Sequence, residues 1–473
     1  MYQFTHKTKI VCTVGPVSNS QEALERMLAA GMNVARLNFS HGELDIHGRN
    51  IKTLRRASSA CSRRVAIMAD LPGPKMRIGR LQQEPIRLSS GDRFTLTPDD
   101  IVGDITKVSV TVKDLARLVT VNDRLFLNDG LISLRVAEID KNDVVCEVLI
   151  GGELRSRKGL NLPGIDLGVS AFTENDNRCL EFALSHGVDA VSQSFVATAG
   201  DILRVRERAR ELGYAPFIIA KIERSIALEH LEEIIAAADG VMLARGDLGV
   251  ETPIASMAVV QKDLIALANG MCKPVITATQ MLESMTYNPL PTRAEATDVA
   301  NAILDGTDAV MLSAESAIGN YPVESVAMLA SIAAATEPTI KVRRDQRPQD
   351  PAIVKSVIAR NLQQMVNSLK PTAVMVPTRS GSMARNVASF RPASWITAFS
   401  TCEETCQALQ FSYGVFPVLV ANEYLDWTKF TRDWLRQHGM NSGFAVMAQG
   451  SSPERPNANH QLDIFDLAVE DDA

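Results

Sequence analysis

Eight short runs rich in Val and Ile alternate with amphipathic helical stretches, and this alternation narrows the fold more than any other feature of the chain. The candidate strands are KIVCTVG (9–15), NVARLNF (33–39), VAIMAD (65–70), DAVSQSF (189–195), PFIIAKIE (216–223), GVMLARG (240–246), PVITATQ (274–280) and AVMLSAE (309–315). Between most of them lie segments such as QEALERMLAAG (21–31) and ILRVRERARELG (202–213). Strands that alternate with helices predict a parallel sheet with helices outside. Eight such units fit a (β/α)8 barrel, whose functional groups sit at the strand ends of one face. Those ends carry Asn38, Asp70, Ser194, Lys221, Asp247, Thr279 and Ser313. A doubly wound open sheet is the alternative that the pattern leaves open.

The alternation breaks twice. Between about 73 and 168 the period becomes two, as in RLFLNDGLISLRV (124–136) and DVVCEVLIGGEL (143–154), and Asn128-Asp129-Gly130 is a strong hairpin signal. This predicts a small all-β domain inserted after the third barrel strand. The second break, KVRRDQRPQDP (341–351), is charged and Pro-containing, as linkers often are. Beyond it, TAVMVPT (372–378), SWITAFS (394–400), GVFPVLV (414–420) and FAVMAQG (444–450) predict a C-terminal α/β domain. The expected layout is barrel 1–72, insert 73–168, barrel 169–340 and C-terminal domain 341–473.

With 473 residues, 46% hydrophobic and 22% charged, the chain suits a soluble globular protein of about three domains. A net charge of −6 argues against a general nucleic-acid binder. Positive charge for a phosphorylated ligand must then be focused locally. The seven cysteines form no even framework, and Cys402 and Cys406, the only close pair, read as neighbours on a helix face. Scattered thiols point to a reducing compartment. The start MYQFTHKTKIV lacks a signal-peptide core, and no run of ~20 apolar residues could span a membrane. The expectation is a cytoplasmic protein with neither nucleic-acid nor membrane partners.

The densest chemistry lies in IIAKIERS (218–225) and GVMLARGDLGVE (240–251). Residues two apart on a strand share a face, so Lys221 and Glu223 project together, with Asp247 on the next strand end. Glu223 and Asp247 are candidate ligands for Mg²⁺, which combines a few carboxylates with water and substrate oxygens. Two surface carboxylates at loop starts are the plain alternative. Lys221, with no packing reason to sit on an apolar strand, and Gly246, which lets backbone N–H groups approach an anion, favour the site.

Other candidates carry plain alternatives of their own. Arg36 and Asn38 share a face in NVARLNFSHG (33–42), with Ser40 and His41 just beyond. Arg36 could grip a phosphate through its planar fork or pair structurally with an Asp. DLPGPKMR (70–77) sets Asp70, Lys75 and Arg77 around a rigid turn that reads as a hinge. RSRKGLNLPG (155–164) places Arg155, Arg157 and Lys158 at a second hinge, as nucleotide contacts or as a solvated charge run. Thr279 could hold a carboxylate or a relay water, or be there for strand propensity. Ser380, Gly381 and Ser382 could cradle a phosphate before a helix, or simply cap it.

These stretches closely resemble the pyruvate kinase family. The matches run in the family's order over nearly the whole chain: TKIVCTVGP (8–16), MNVARLNFSHG (32–42), DLPGPKMR (70–77), KGLNLPG (158–164), KIER (221–224), ARGDLGVE (244–251), TATQMLESM (277–285), RAEATDVANAILDG (293–306) and TRSGSMAR (378–385). The resemblance implies a (β/α)8 TIM barrel with an inserted mobile β-barrel domain and a C-terminal α/β effector domain. It implies phosphoryl transfer from phosphoenolpyruvate to ADP, giving pyruvate and ATP, in a homotetrameric glycolytic enzyme using Mg²⁺ or Mn²⁺. Glu223 and Asp247 would hold the metal ion, and Lys221 would offset charge on the phosphoryl group and the enolate. Arg36 would contact the phosphoryl group. N–H groups at Gly246 and Asp247, with Thr279, would hold the substrate carboxylate. Ser313 would join the proton relay, and His41, Arg77 and Lys158 would contact the nucleotide.

The departures from the family pattern are informative. The usual Leu-Thr-Glu-Lys-Asp reads Phe172-Thr173-Glu174-Asn175-Asp176, and Ser-Gly-Glu-Thr-Ala reads SAESA (313–317). PNANHQ (456–461) replaces the usual Gly-Thr-Thr-Asn, so the effector, a sugar phosphate or a nucleoside monophosphate at Ser380–Ser382, is not identified. In the family a K⁺ site would use Asn38, Ser40, Asp70 and the Leu71 carbonyl, followed by Thr-Lys-Gly-Pro-Glu. Here Leu71-Pro72-Gly73-Pro74-Lys75 follows Asp70. Lys75 could supply the charge of K⁺, so the expectation is that K⁺ is not required. The rival readings are a non-catalytic phosphometabolite sensor and a Mg²⁺-dependent lyase or aldolase acting on a pyruvate enolate. Loss of Lys221, Glu223 or Asp247 would favour the first, and the basic hinge argues against the second.

Overall fold

A computed structural model describes residues 5–165, 168, 170–340, 354–424, 426–450 and 460–469. Eight parallel strands close into a barrel in sequence order: Lys9–Thr13, Val34–Asn38, Ala66–Asp70, Ala190–Gln193, Phe217–Ile222, Gly240–Ala244, Val275–Ala278 and Ala309–Leu312. The closing pair is the first and eighth strands, Lys9 opposite Ala309. The open-sheet alternative is thereby excluded. The linker stretch 341–351 and the segment 456–459 lie outside the described residues.

Strand parity decides which side chains can work together. Ile10 and Cys12 pack outward with Leu24 and Met27 of the helical layer. Val11, Val34, Ala66, Met68, Ile219, Met242 and Met311 form a separate cluster on the lumen side. On most of the strands a polar residue comes two positions beyond an apolar lumen one. Val34 leads to Arg36, Met68 to Asp70, Ala190 to Ser192, Ile219 to Lys221 and Met311 to Ser313. The lumen is thus an apolar plug topped by a polar layer at the C-terminal ends.

Seven of the eight strands stop one to three residues short of the sequence expectation, which leaves Ser194, Glu223, Thr279 and Ser313 just past a strand end. The sixth strand stops at Ala244 and the eighth at Leu312, and short helices Arg245–Glu251 and Ala314–Ala317 follow. Asp247 therefore lies in the first turn of a helix, not on a strand. An acidic side chain is favoured there, next to unsatisfied N–H groups.

The insert is all-β. A six-stranded sheet and a two-stranded ribbon, Ile86–Leu88 with Gly152–Leu154, share one apolar core that includes Phe94, Leu134 and Leu154. The Asn128-Asp129-Gly130 signal does connect paired strands, Arg124–Leu127 and Ile132–Asp140. All three turn residues take positive φ, at 53°, 55° and 87°. The C-terminal domain holds a five-stranded sheet. Its four parallel strands fall in the expected stretches, and the antiparallel edge strand Gln461–Asp466 was not anticipated. That strand, QLDIFD, is short and half polar, with no long apolar run to mark it. No helix among the described residues is long and apolar enough to cross a membrane. The described cysteines are free thiols, with Cys406 buried on a short helix and Cys402 just before it.

Candidate active site

The polar layer centres on Lys221, which is 7% exposed. Its Nζ lies 2.7 Å from Glu223 Oε1 and 3.2 Å from Asp70 Oδ1, and it donates to Ser194 Oγ at 2.7 Å. Burial lowers the Lys221 pKa, but Asp70 and Glu223 outweigh it and hold the ammonium above its ordinary value. The lysine is therefore a fixed positive charge.

Asp70 ends the third strand and is 1% exposed. It accepts from Arg36 Nε (2.8 Å) and Nη2 (2.5 Å), and from Ser192 Oγ (2.7 Å). Burial alone would raise its pKa; Lys221 and Arg36 more than reverse that, to about 2. The structural Arg–Asp pairing raised for Arg36 is therefore present. Arg36 Nη1 reaches Thr13 Oγ1 at 2.9 Å.

Glu223 is 2% exposed, and its Oε2 accepts from the Phe195 N–H at 2.8 Å. Its pKa is raised by burial first; Lys221 opposes this and the charge of Asp247 adds to it. A buried carboxylate next to a second one is a site that a divalent cation relieves. Among the described residues no group of three or more His, Cys, Asp or Glu side chains is placed to hold a metal. A two-carboxylate site fits Mg²⁺, which takes its remaining ligands from water and substrate.

Thr279, just past the seventh strand, closes the next side of the site, with φ +69°. Its hydroxyl accepts from Gly246 N–H at 2.7 Å and donates to the Ala278 carbonyl at 2.6 Å. Arg245, next to Gly246, points away from the lumen to Asp298 (2.7 Å) and the Thr279 carbonyl (2.8 Å), pinning the turn. Ser313 follows the eighth strand, and its N–H donates to buried Glu315 at 2.8 Å, which also accepts from Leu282 N–H at 3.2 Å.

Lys75 lies in the same field, half-buried on the hinge. Burial lowers its pKa, with Lys221 and Arg77 adding to this, while Asp70 and Glu223 act against it. Among the described residues its ammonium has no ion-pair or hydrogen-bond partner. Of the cation-site candidates, Asn38 Oδ1 accepts from Ser40 N–H (3.1 Å) and the Leu71 carbonyl from Ser194 Oγ (2.7 Å). His41 faces the same cluster, its pKa lowered by burial and then by Lys75, Arg77 and Arg36. Arg77 Nη1 donates to the Arg157 carbonyl at 3.2 Å, and the Lys158 carbonyl accepts from Ile78 N–H at 3.0 Å. These bonds knit the two hinge strands together. Ser380, Gly381 and Ser382 are apart from all of this, in the C-terminal domain. There Gly381 N–H bonds Thr378 Oγ1 at 3.0 Å, and the Ser382 carbonyl accepts from Asn386 at 3.0 Å.

Sequence reasoning missed several supporting residues. Thr13, Ser192 and Glu315 hold Arg36, Asp70 and the Ser313 loop; alternation with the lumen positions could have found the first two. Asp176 was seen only as part of a departing motif. It bonds the Gly73 N–H at 2.8 Å from a capping box with Thr173, tying the first hinge to the barrel. The Thr-x-x-Asp spacing was its signal.

A cleft of about 540 Å³ lies at the opposite end of the barrel, bounded by Lys9, Arg63, Trp395 and Trp434. It is separate from the polar layer at the strand ends.

Comparison with known proteins agrees with this fold. Residues 5–326 match the family described as pyruvate kinase, barrel domain, and residues 356–459 match pyruvate kinase, alpha/beta domain. A pyruvate kinase of Thermococcus litoralis is 48% identical over 421 residues, covering 87% of this chain and 88% of that protein. One from Geobacillus stearothermophilus is 43% identical over 417 residues, covering 87% of this chain and 71% of its own length. The crystal structure of a pyruvate kinase from Cryptosporidium parvum superposes with a TM-score of 0.90 at 31% identity, covering 98% of this chain and 96% of that one. With both domains matched and the relatives aligned over most of their length, the chain belongs to the pyruvate kinase family of phosphotransferases.

Proposed function

We propose that the chain transfers the phosphoryl group of phosphoenolpyruvate to ADP, consuming one proton and giving pyruvate and ATP, with Mg²⁺ or Mn²⁺ held by Glu223 and Asp247. The observation that carries this reading is Lys221, fixed as an ammonium between Asp70 and Glu223 at the strand ends. When bound, the divalent ion supplies Lewis-acid neutralisation of substrate oxygens. Lys221 and Arg36 offset charge that builds on the transferring group and the enolate. The Gly246 and Asp247 N–H groups and the Thr279 hydroxyl bind the carboxylate, which competes with Thr279 for the Gly246 donor. Thr279 and Ser313 hydroxyls orient the water that protonates the enolate carbon. Arg77, Lys158 and His41 receive the nucleotide, and closure of the insert excludes water.

The same reading makes the protein a cytoplasmic, homotetrameric enzyme of glycolysis that works without K⁺, since Lys75 places a charge beside Asp70. A sugar phosphate or nucleoside monophosphate at Ser380–Ser382 is its proposed regulator. Production of pyruvate from phosphoenolpyruvate and ADP with Mg²⁺, in a coupled assay of the purified chain, is the direct test. No pyruvate at any divalent concentration would exclude the reading and leave the sensor.

A further inference from the structure

The two carboxylates proposed for the metal ion lie on segments that also hold the insert's second hinge. Arg224 follows Glu223 directly, is 4% exposed, and donates through Nη2 to the Ile165 carbonyl at 2.6 Å. Ser225 Oγ accepts from the Gly164 N–H at 3.2 Å. The Ser225 N–H and hydroxyl both donate to Glu251 Oε2, each at 3.2 Å. Glu251 is four residues after Asp247 on helix Arg245–Glu251, so the two carboxylates share a helix face. The insert's hairpin tip meets the same helix: a Cβ at Gly130 would sit 3.3 Å from a Val250 methyl.

We propose that Arg224 and Glu251 are positioning residues that latch the second hinge onto the segments bearing Glu223 and Asp247. Seating of the insert and placement of the two carboxylates then become one mechanical event. The proposal rests on the reading of this site as a pyruvate kinase site. A buried guanidinium is a costly way to satisfy one backbone carbonyl, and a neutral side chain could do that alone. Arg224 also acts electrostatically on Glu251, the other end of the latch. Loosening either end frees the hinge that carries Lys158, so nucleotide binding suffers more than phosphoenolpyruvate binding.

The test compares Arg224→Gln, Arg224→Lys and Glu251→Ala in the full chain. Amide hydrogen exchange of residues 158–165 is measured with Mn²⁺ and no substrate, together with Mn²⁺ affinity and the KM values for ADP and phosphoenolpyruvate. Arg224→Gln and Glu251→Ala are expected to speed hinge exchange and raise the ADP KM by roughly tenfold, while barrel-strand exchange holds and Arg224→Lys restores most of the effect. Unchanged hinge exchange in both variants, or loss of protection across the whole barrel, would overturn the latch. If the unmodified chain makes no pyruvate, faster hinge exchange with weaker Mn²⁺ binding would still support the latch while the activity reading fails.

Discussion

Arg36 grips a single oxygen of Asp70 with two N–H groups, at 2.8 and 2.5 Å, while the other oxygen of Asp70 takes Ser192 at 2.7 Å. The pair joins neighbouring barrel strands beneath Lys221, so the arginine proposed for phosphate and the lysine share one carboxylate. The Asp70 pKa of about 2 lies below the unfolded value, so the ionised form stabilises the fold. That contribution, about 2 kcal/mol, is complete above about pH 4 and is lost as pH falls toward 2. Asp70→Asn should lower stability at neutral pH and flatten the loss in that acid window. Parallel unfolding midpoints for both proteins from pH 5 to 2, by circular dichroism, would show that Asp70 carries no such linkage.

Glu223 and Asp247 give the second prediction. Either one changed to Ala leaves the ion on a single carboxylate, so turnover should fall on the order of 10³-fold with the fold retained. Mn²⁺ binding followed by electron paramagnetic resonance should weaken in step. Near-normal turnover in either folded variant at ordinary Mg²⁺ contradicts the assignment.

How far the sequence revealed this site follows from its geometry. Lys221 and Glu223 were legible because they break an apolar run, where a charge lacks a packing reason, and Asp247 because it follows an Arg-Gly turn at the end of another. Their supports were not. Ser192 and Thr13 are common strand residues, and only closure of the barrel brings them to Asp70 and Arg36. Asp247 was expected at a strand end because the apolar run GVMLA was extended through Arg245 and Gly246, and no local signal marked the helix that starts at Arg245. The edge strand Gln461–Asp466 was invisible because it is held by pairing with Phe444–Gln449 rather than by its own apolar pattern.

The C-terminal loop supports a third prediction. Thr378, Ser380 and Ser382 surround Gly381, whose φ of +76° lets the chain turn into the helix. Gly381 takes the N-cap position without a side-chain cap bond, and its N–H bonds Thr378, so ligand binding is what separates a phosphate cradle from a plain helix start. A sugar phosphate or nucleoside monophosphate is expected to lower the apparent phosphoenolpyruvate constant, and Ser382→Asp should abolish that response by charge repulsion. A saturation curve unmoved by a panel of such metabolites leaves the loop as a plain helix start.

Lys75 gives the last prediction, on the monovalent cation. Its ammonium has no ion-pair partner among the described residues, yet it lies in the field of Asp70 and Glu223. Two neighbouring positive groups, Lys221 and Arg77, push its pKa down after burial does. A K⁺ ion added beside it would meet three positive side chains in a closed, low-dielectric site, where repulsion is strong. The proposed ligands are already engaged as well: Asp70 by Arg36, Ser192 and Lys221, and the Leu71 carbonyl by Ser194. The alternative is that Lys75 swings to solvent when substrate binds and K⁺ takes its place. Full activity is therefore expected in buffer free of Na⁺ and K⁺, at ionic strength set with a bulky organic cation. Lys75→Glu should either create a K⁺ requirement or abolish activity, because a third carboxylate beside Asp70 and Glu223 needs a cation. Many-fold activation of the unmodified enzyme by K⁺, beyond that of the inert salt, would show that Lys75 does not stand in for the ion.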